Sequence, residues 1–246
     1  MSNETCRWAS CYSEMENVSS SEQQKFSALA DDWWDPNGSS RTLHEINPCR
    51  LEYVQRRLDL AGAKVADIGC GGGLFSEALA LAGATVTAID ATDSVIDVAR
   101  THAAQNELNI DYRVQLSRQL AASESGTFDA VVCMELIEHV PDPAALVADC
   151  GALLRDGGQL FISTLTRTPV SYALAILGAE YVLGLVPRGT HDYEQFLKPA
   201  EIGRLARTAG LTTVDVTAMQ YNPAARAARL GGSIKANYLA TFVRES

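Results

Sequence analysis

The run Val65-Ala66-Asp67-Ile68-Gly69-Cys70-Gly71-Gly72-Gly73 limits this chain more than any other stretch of it. A short apolar segment leads into glycines, and the helical pattern of residues 74–82 follows at once. Glycines at a strand-to-helix junction permit positive φ and let the backbone come close to a ligand. The helix that follows offers free N–H groups and the positive end of its dipole to a ligand carboxylate. A chain organised around such a junction is expected to be a parallel α/β protein.

The rest of the sequence agrees. Apolar, β-branched runs at 64–68, 85–89, 110–114, 128–133 and 159–164 alternate with helical patterns at 74–82, 94–106 and 143–154, the signature of a parallel sheet with crossover helices. Gly157-Gly158 is a turn feeding the fifth strand. Beyond it, residues 166–198 interrupt the alternation, 201–209 restore a helix stopped by Gly210, and 211–219 and 234–243 read as two final strands. At 246 residues the chain has the length of one large α/β domain. Residues 1–20, with Glu4, Glu14 and Glu16 and no apolar core, are expected to be a disordered polar lead-in, neither secretory signal nor transit peptide. Residues 21–246 are then a single domain, with 21–60 a helical cover over the ligand site and 166–198 a helical insertion.

A net charge of -10 argues against nucleic acid as a partner. From Lys198 to the end, however, seven basic residues face three acidic ones, a local +4 that leaves -14 on the rest of the -10 total. The six cysteines form no C-x-x-C pair and are expected as free thiols in a reducing cytoplasm.

The spacing of the glycines separates two kinds of ligand. A dinucleotide fingerprint G-x-G-x-x-G/A started at Gly69 meets Leu74 in its third place, and started at Gly71 meets Ser76. By contrast Asp67-Ile68-Gly69-Cys70-Gly71, read as D-x-G-x-G, resembles the first motif of class I S-adenosylmethionine (SAM) methyltransferases. Asp90 ends the second strand about 20 residues on, where a carboxylate can accept hydrogen bonds from both ribose hydroxyls. Asp67, Gly69, Gly71 and Asp90 are therefore the expected cofactor contacts of the core.

The fourth strand runs into Cys133-Met134-Glu135-Leu136-Ile137-Glu138-His139-Val140-Pro141. If the chain turns helically there, Glu135, Glu138 and His139 share one face at the ligand crevice. Three readings stand open. The trio could ligate a divalent cation, with oxygen donors favouring Mg²⁺. His139 could instead act as general base, a role incompatible with metal ligation through the same nitrogen. Or Glu caps a helix and His139 is a packing residue.

Longer strings carry a closer resemblance. Phe26-Ser27-Ala28-Leu29-Ala30-Asp31-Asp32-Trp33-Trp34-Asp35, Leu43-His44-Glu45-Ile46-Asn47-Pro48-Cys49-Arg50, Gly189-Thr190-His191-Asp192, Phe196-Leu197-Lys198-Pro199-Ala200-Glu201 and Tyr221-Asn222-Pro223 are similar to the ubiquinone-biosynthesis O-methyltransferases, over about residues 22 to 242. That resemblance implies the class I fold: a Rossmann-like, seven-stranded, mostly parallel sheet with one antiparallel strand, N-terminal helices and a helical insertion after the fifth strand. It implies methylation of ring hydroxyls on a polyprenylated catechol and on 3-demethylubiquinol, with SAM as cofactor. It places SAM contacts on Arg50, Gly69, Asp90 and Met134, and a divalent-cation site, known in eukaryotic relatives, on Glu135, Glu138 and His139. Two departures stand out: Gln115-Leu116-Ser117-Arg118-Gln119 where the family often has acidic residues, and Thr166-Arg167 where it usually has Asn-Arg. Glu138 and His139 are the expected catalytic pair. Alternatives are methylation of another small phenolic or acidic metabolite, or a silent SAM- or lipid-binding subunit among other enzymes of the pathway.

Residues 170–186 carry a single charge, Glu180. As a helix they would extend about 26 Å, marginal for a bilayer. They are expected either as a lid over the acceptor or as a surface dipping into the membrane interface, where Arg167, Arg188 and the basic C-terminal part suit anionic lipid heads. The protein is then cytoplasmic, peripheral at the inner face of a bacterial inner membrane.

Overall fold

The computed structural model describes residues 17–172 and 193–245. The expectations for residues 1–16, for most of the insertion (173–192) and for the Gly189-to-Asp192 motif lie outside the described residues. β1 (Lys64–Ile68) pairs in parallel with β2 (Thr85–Asp90) on one side and β4 (Phe128–Met134) on the other. β3 (Asp111–Val114) extends the sheet beyond β2, and β5 (Leu154–Leu165) lies parallel beside β4. β9 (Asn237–Arg244) then runs antiparallel between β5 and β6 (Leu211–Thr217), giving the order β3-β2-β1-β4-β5-β9-β6. This is the seven-stranded sheet with one antiparallel strand that the resemblance implied.

The strands read as continuous apolar runs because both faces are covered. Side-chain alternation divides them between two cores: Val65, Ala130, Val132 and Met134 join one cluster, while Ala66, Ile68, Val131 and Cys133 join the other. The helices α3 (Leu74–Leu81), α4 (Asp93–Gln105), α5 (Ser117–Glu124) and α6 (Pro143–Leu153) make the crossovers, and α7 (Pro199–Thr208) packs on β6. The strand order reverses between β1 and β4, which opens a crevice at their carboxyl ends.

The N-terminal cover starts with α1 (Ser20–Ala28), capped by Ser19, whose hydroxyl accepts from the Glu22 amide at 3.4 Å. A 3-10 turn (Ala30–Asp32) leads to α2 (Arg41–Gln55). The buried stripe of α2 is Ile46, Cys49, Arg50, Tyr53 and Val54, a helical spacing that carries the Arg50 guanidinium inward. The Tyr53 hydroxyl donates to Asp215 and accepts from Thr241, both at 2.9 Å, fastening α2 to β6 and β9.

Several expected boundaries shift. The strand expected over 211–219 breaks after Thr217; Met219–Asn222 forms β7, which pairs with β8 (Ala227–Leu230) in a separate hairpin, Tyr221 opposite Ala228. A continuous apolar reading missed that break because Ala218 and Met219 are themselves buried. The strand expected at 234 begins at Asn237, and α5 occupies residues with no expected element. What is described of the insertion is anchored to β5: Thr168 caps a helical turn at Pro169–Ser171, and the Leu197 amide donates to the Leu165 carbonyl at 3.3 Å. Among the described residues no helix is long and apolar enough to cross a membrane. The four described cysteines are free and buried.

Candidate functional site

The loop after β1 needs its glycines for two separate reasons. Gly69 and Gly71 take φ of +73° and +52°, left-handed conformations that side chains disfavour. Both are also packed from above: a Cβ on Gly69 would lie 2.6 Å from Leu136, and one on Gly71 or Gly72 would run into the Trp33 ring. The amides of Gly69 and Cys70 donate to the Ile89 carbonyl at 2.8 and 3.0 Å. Asp90, at the end of β2, accepts from the Gly71 amide at 3.0 Å and the Thr92 amide at 2.9 Å, so one carboxylate shapes the loop and faces the crevice. Behind it Asp67 accepts from the Ser76 hydroxyl at 2.6 Å. Burial pushes the Asp67 carboxyl up to about 6, against the Ser76 hydrogen bond and the nearby Arg50 charge.

The cover is clasped onto this loop by polar contacts. Trp34 donates its indole N–H to the Gly72 carbonyl at 2.9 Å and stacks on His102, whose ring lies 3.4 Å away at 6°. His102 Nδ1 in turn lies 2.8 Å from Glu77 of α3. His44 Nε2 contacts the Trp33 carbonyl at 2.9 Å, and Gln23 donates to the Ala91 carbonyl at 3.0 Å.

Between cover, loop and strand ends lies a cavity of ≈ 1130 Å³. Its wall includes all six residues expected to hold the cofactor, Arg50, Asp67, Gly69, Gly71, Asp90 and Met134, and also Glu135, Glu138 and His139. Arg50 is 4% exposed. Its Nη2 lies 3.1 Å from Glu135 Oε1, yet neither Nε nor Nη2 makes a hydrogen bond. A buried guanidinium with hydrogen-bond donors unused beside a glycine loop fits the carboxylate of SAM, and Asp90 fits its ribose. The residues present therefore suit this cofactor.

The acidic-imidazole trio does not converge on one point. Instead of an α-turn, the chain after β4 puts Glu135 at φ +52° and then forms a 3-10 turn over Ile137–His139, which breaks the i, i+3, i+4 stacking of an α-helix. Glu135 accepts from the Ser163 hydroxyl at 2.8 Å, and Glu138 from the Thr164 hydroxyl at 2.9 Å. His139 Nδ1 lies 2.8 Å from Glu22 of α1. Among the described residues no three His, Cys, Asp or Glu side chains are placed to hold a metal ion. As arranged, the trio does not fit a divalent cation.

Electrically this end of the cavity is poised near neutrality. Burial, reinforced by Glu135, pushes the Glu138 carboxyl up to about 7, against the pull of His139. Burial opposes the His139 imidazolium, but Glu22 and Glu138 outweigh it and its pKa rises. For Glu22, too, burial disfavours the charge, yet contacts from His139 and Lys25 bring it down to about 2. Glu22, Ser163 and Thr164 escaped the sequence reading. Glu22 sits in α1 far from its partner in sequence, and the two hydroxyls lie on β5 within an apolar run, so only the fold brings them to the site.

A methyltransferase-domain family model matches residues 43–216. A ubiquinone biosynthesis O-methyltransferase of Xanthomonas oryzae pv. oryzae is 53% identical over 228 residues, 93% of this chain and 95% of that protein. One from Thiobacillus denitrificans is 51% identical over 232 residues, 94% of this chain and 100% of that protein. Among solved structures, magnesium protoporphyrin IX methyltransferase from Synechocystis with bound S-adenosylhomocysteine superimposes with a TM-score of 0.62 at 20% identity, covering 84% of this chain and 85% of that one. At that identity the likeness shows a shared fold.

Proposed function

The chain belongs to the ubiquinone biosynthesis O-methyltransferases, and on that premise we propose that it methylates ring hydroxyls of polyprenylated catechol and 3-demethylubiquinol intermediates. The observation that carries the proposal is 53% identity sustained over 93% of the chain. The cavity supports it, since donor-side and acceptor-side groups line one space. Residues 21–246 act as one methyl-transfer domain in this scheme.

SAM, when bound, supplies a methyl group activated by its sulfonium. Arg50 meets its carboxylate, Asp90 its ribose, and the loop of Asp67, Gly69 and Gly71 with Met134 encloses it. Transfer of that methyl from sulfur to the acceptor oxygen would leave an aryl methyl ether and S-adenosylhomocysteine. Holding the two in line can supply roughly 7–11 kcal/mol at the extreme. Glu138 and His139 receive the phenol proton. Glu22 holds His139 through Nδ1 and fixes the ring on the cavity wall, and Glu138 beside it balances the imidazolium before the proton passes to solvent.

A polyprenyl tail partitions into lipid, which supports a place at the inner face of the cell membrane and contact with anionic lipids or with other enzymes of the pathway. Incubation with SAM and a short-chain polyprenyl catechol, followed by mass analysis, tests the activity. A product heavier by one methylene unit with stoichiometric S-adenosylhomocysteine is expected. No methylated product from either substrate would overturn the assignment, and methylation only of an untailed phenol would move it to another metabolite.

A further inference from the structure

Two tryptophans stand side by side in the cover, and only one has its indole nitrogen satisfied. Trp34 donates to the Gly72 carbonyl at 2.9 Å. Trp33 is 4% exposed and its Nε1 is buried without an acceptor. An indole N–H can only donate, and native interiors seldom leave such a donor alone without a functional reason. The ring's position is firm: it lies across Gly71 and Gly72 so closely that neither could carry a side chain, and Nε1 is 2.7 Å from the point where a Gly72 Cβ would stand. The same cavity wall holds Arg50, whose Nε and Nη2 also make no hydrogen bond, although Nη2 is ion-paired with Glu135 at 3.1 Å. Both residues come from the cover, and these three atoms are nitrogens that donate. What they lack is an acceptor with several lone pairs, located at the glycine loop. Asp90, an acceptor itself, cannot take ribose hydroxyls and also supply that need.

We propose that Trp33 donates its indole hydrogen to the carboxylate of bound SAM, sharing that carboxylate with Arg50. The inference rests on SAM as the methyl donor. It makes Trp33 a binding residue for the methionine end of the cofactor, while Trp34 fastens the cover.

Trp33→Phe keeps an aromatic ring over the loop and removes only the donor-bearing part. Calorimetric binding of SAM and of 5′-methylthioadenosine, which has no carboxylate, to the full chain separates the cases. Loss of a hydrogen bond to a charged acceptor is expected to weaken SAM about 10- to 100-fold and to leave methylthioadenosine within about twofold. Unchanged SAM affinity, or equal weakening of both ligands, would overturn the proposal. If the variant does not fold, the unmutated chain carries the test by NMR with ¹⁵N-labelled tryptophan. Trp8→Phe and Trp34→Phe identify the Trp33 indole signal by elimination. That signal is expected to move downfield with SAM and to stay in place with methylthioadenosine; a signal indifferent to SAM, or moved alike by both, overturns the proposal. An unmutated chain that binds no SAM at all would instead remove the cofactor assignment beneath it.

Discussion

Replacing Glu138 with Gln removes a buried ionisable group while keeping its shape. The side chain is 3% exposed, and the Thr164 hydroxyl that donates to it at 2.9 Å can donate equally to an amide oxygen. Burial and the Glu135 charge raise the carboxyl from 4.5 to about 7 in the folded state, a displacement equivalent to about 3 kcal/mol. Between those two values the folded protein holds a proton that the unfolded chain has released. Raising the pH across that window therefore lowers wild-type stability, and the full deficit is present above pH 7. Glu138→Gln has no carboxyl to ionise in that window. The variant is expected to match the wild type near pH 5 and to exceed it by up to about 3 kcal/mol at pH 8. Urea unfolding at pH 5, 6.5 and 8, comparing midpoints at constant slope, reads the difference directly. A stability difference that is independent of pH, or one that grows toward acid, would refute this account. Methyl transfer is expected to move the opposite way, with turnover falling about 100-fold and SAM affinity nearly unchanged; equal losses in both would argue that Glu138 serves the cofactor.

Gly71→Ala places a side chain at φ +52° and into the Trp33 ring. It is expected to cost about 1–2 kcal/mol for the backbone alone and to weaken SAM at least tenfold by displacing Trp33, readable by thermal melting and calorimetry; normal values for both would show that the cover yields. Glu22→Gln removes a carboxylate held down at about 2, against its burial, by His139 and Lys25. A depressed carboxyl stabilises above pH 4.5 and loses that contribution as pH falls toward 2, so the variant is expected to be weaker by about 1 kcal/mol at pH 7 after allowance for partial exposure. That gap should narrow at pH 3, and a constant gap would mean a packing effect. Because Glu135, Glu138 and His139 are already engaged with Ser163, Thr164 and Glu22, EDTA treatment is expected to leave turnover within about twofold; a loss restored by Mg²⁺ would show that the turn after β4 rearranges around a cation.

Legibility in the sequence followed how local each signal is. The glycine loop, Asp90 and the alternating strands are written in spacing a few residues long, so the sheet and the crevice at the glycine loop could be read directly. The turn after β4 could not. Whether Glu135, Glu138 and His139 stack depends on one backbone angle at Glu135 and on a 3-10 turn, and no side-chain pattern distinguishes that from an α-turn. The hairpin of β7 and β8 was hidden for a related reason: its break falls at Ala218, buried like Met219 after it, so hydrophobicity gives no boundary there. Family resemblance supplied Arg50, which on composition alone is only a polar residue in an amphipathic helix.

The N-terminal cover explains why that resemblance was strongest outside the glycine loop. From the same segment, Trp33 and Trp34 lie on the glycine loop, Arg50 reaches the cavity wall, and Glu22 holds His139 beside Glu138. A glycine loop serves any nucleotide-like cofactor with the right spacing, so it constrains the fold and says little about the reaction. A segment that must touch donor and acceptor machinery together has far fewer acceptable sequences. A buried polar side chain there that meets no partner carries a desolvation penalty. The residues outside the α/β sheet are thus the ones that tie the glycine loop and the turn carrying Glu138 and His139 into one cavity.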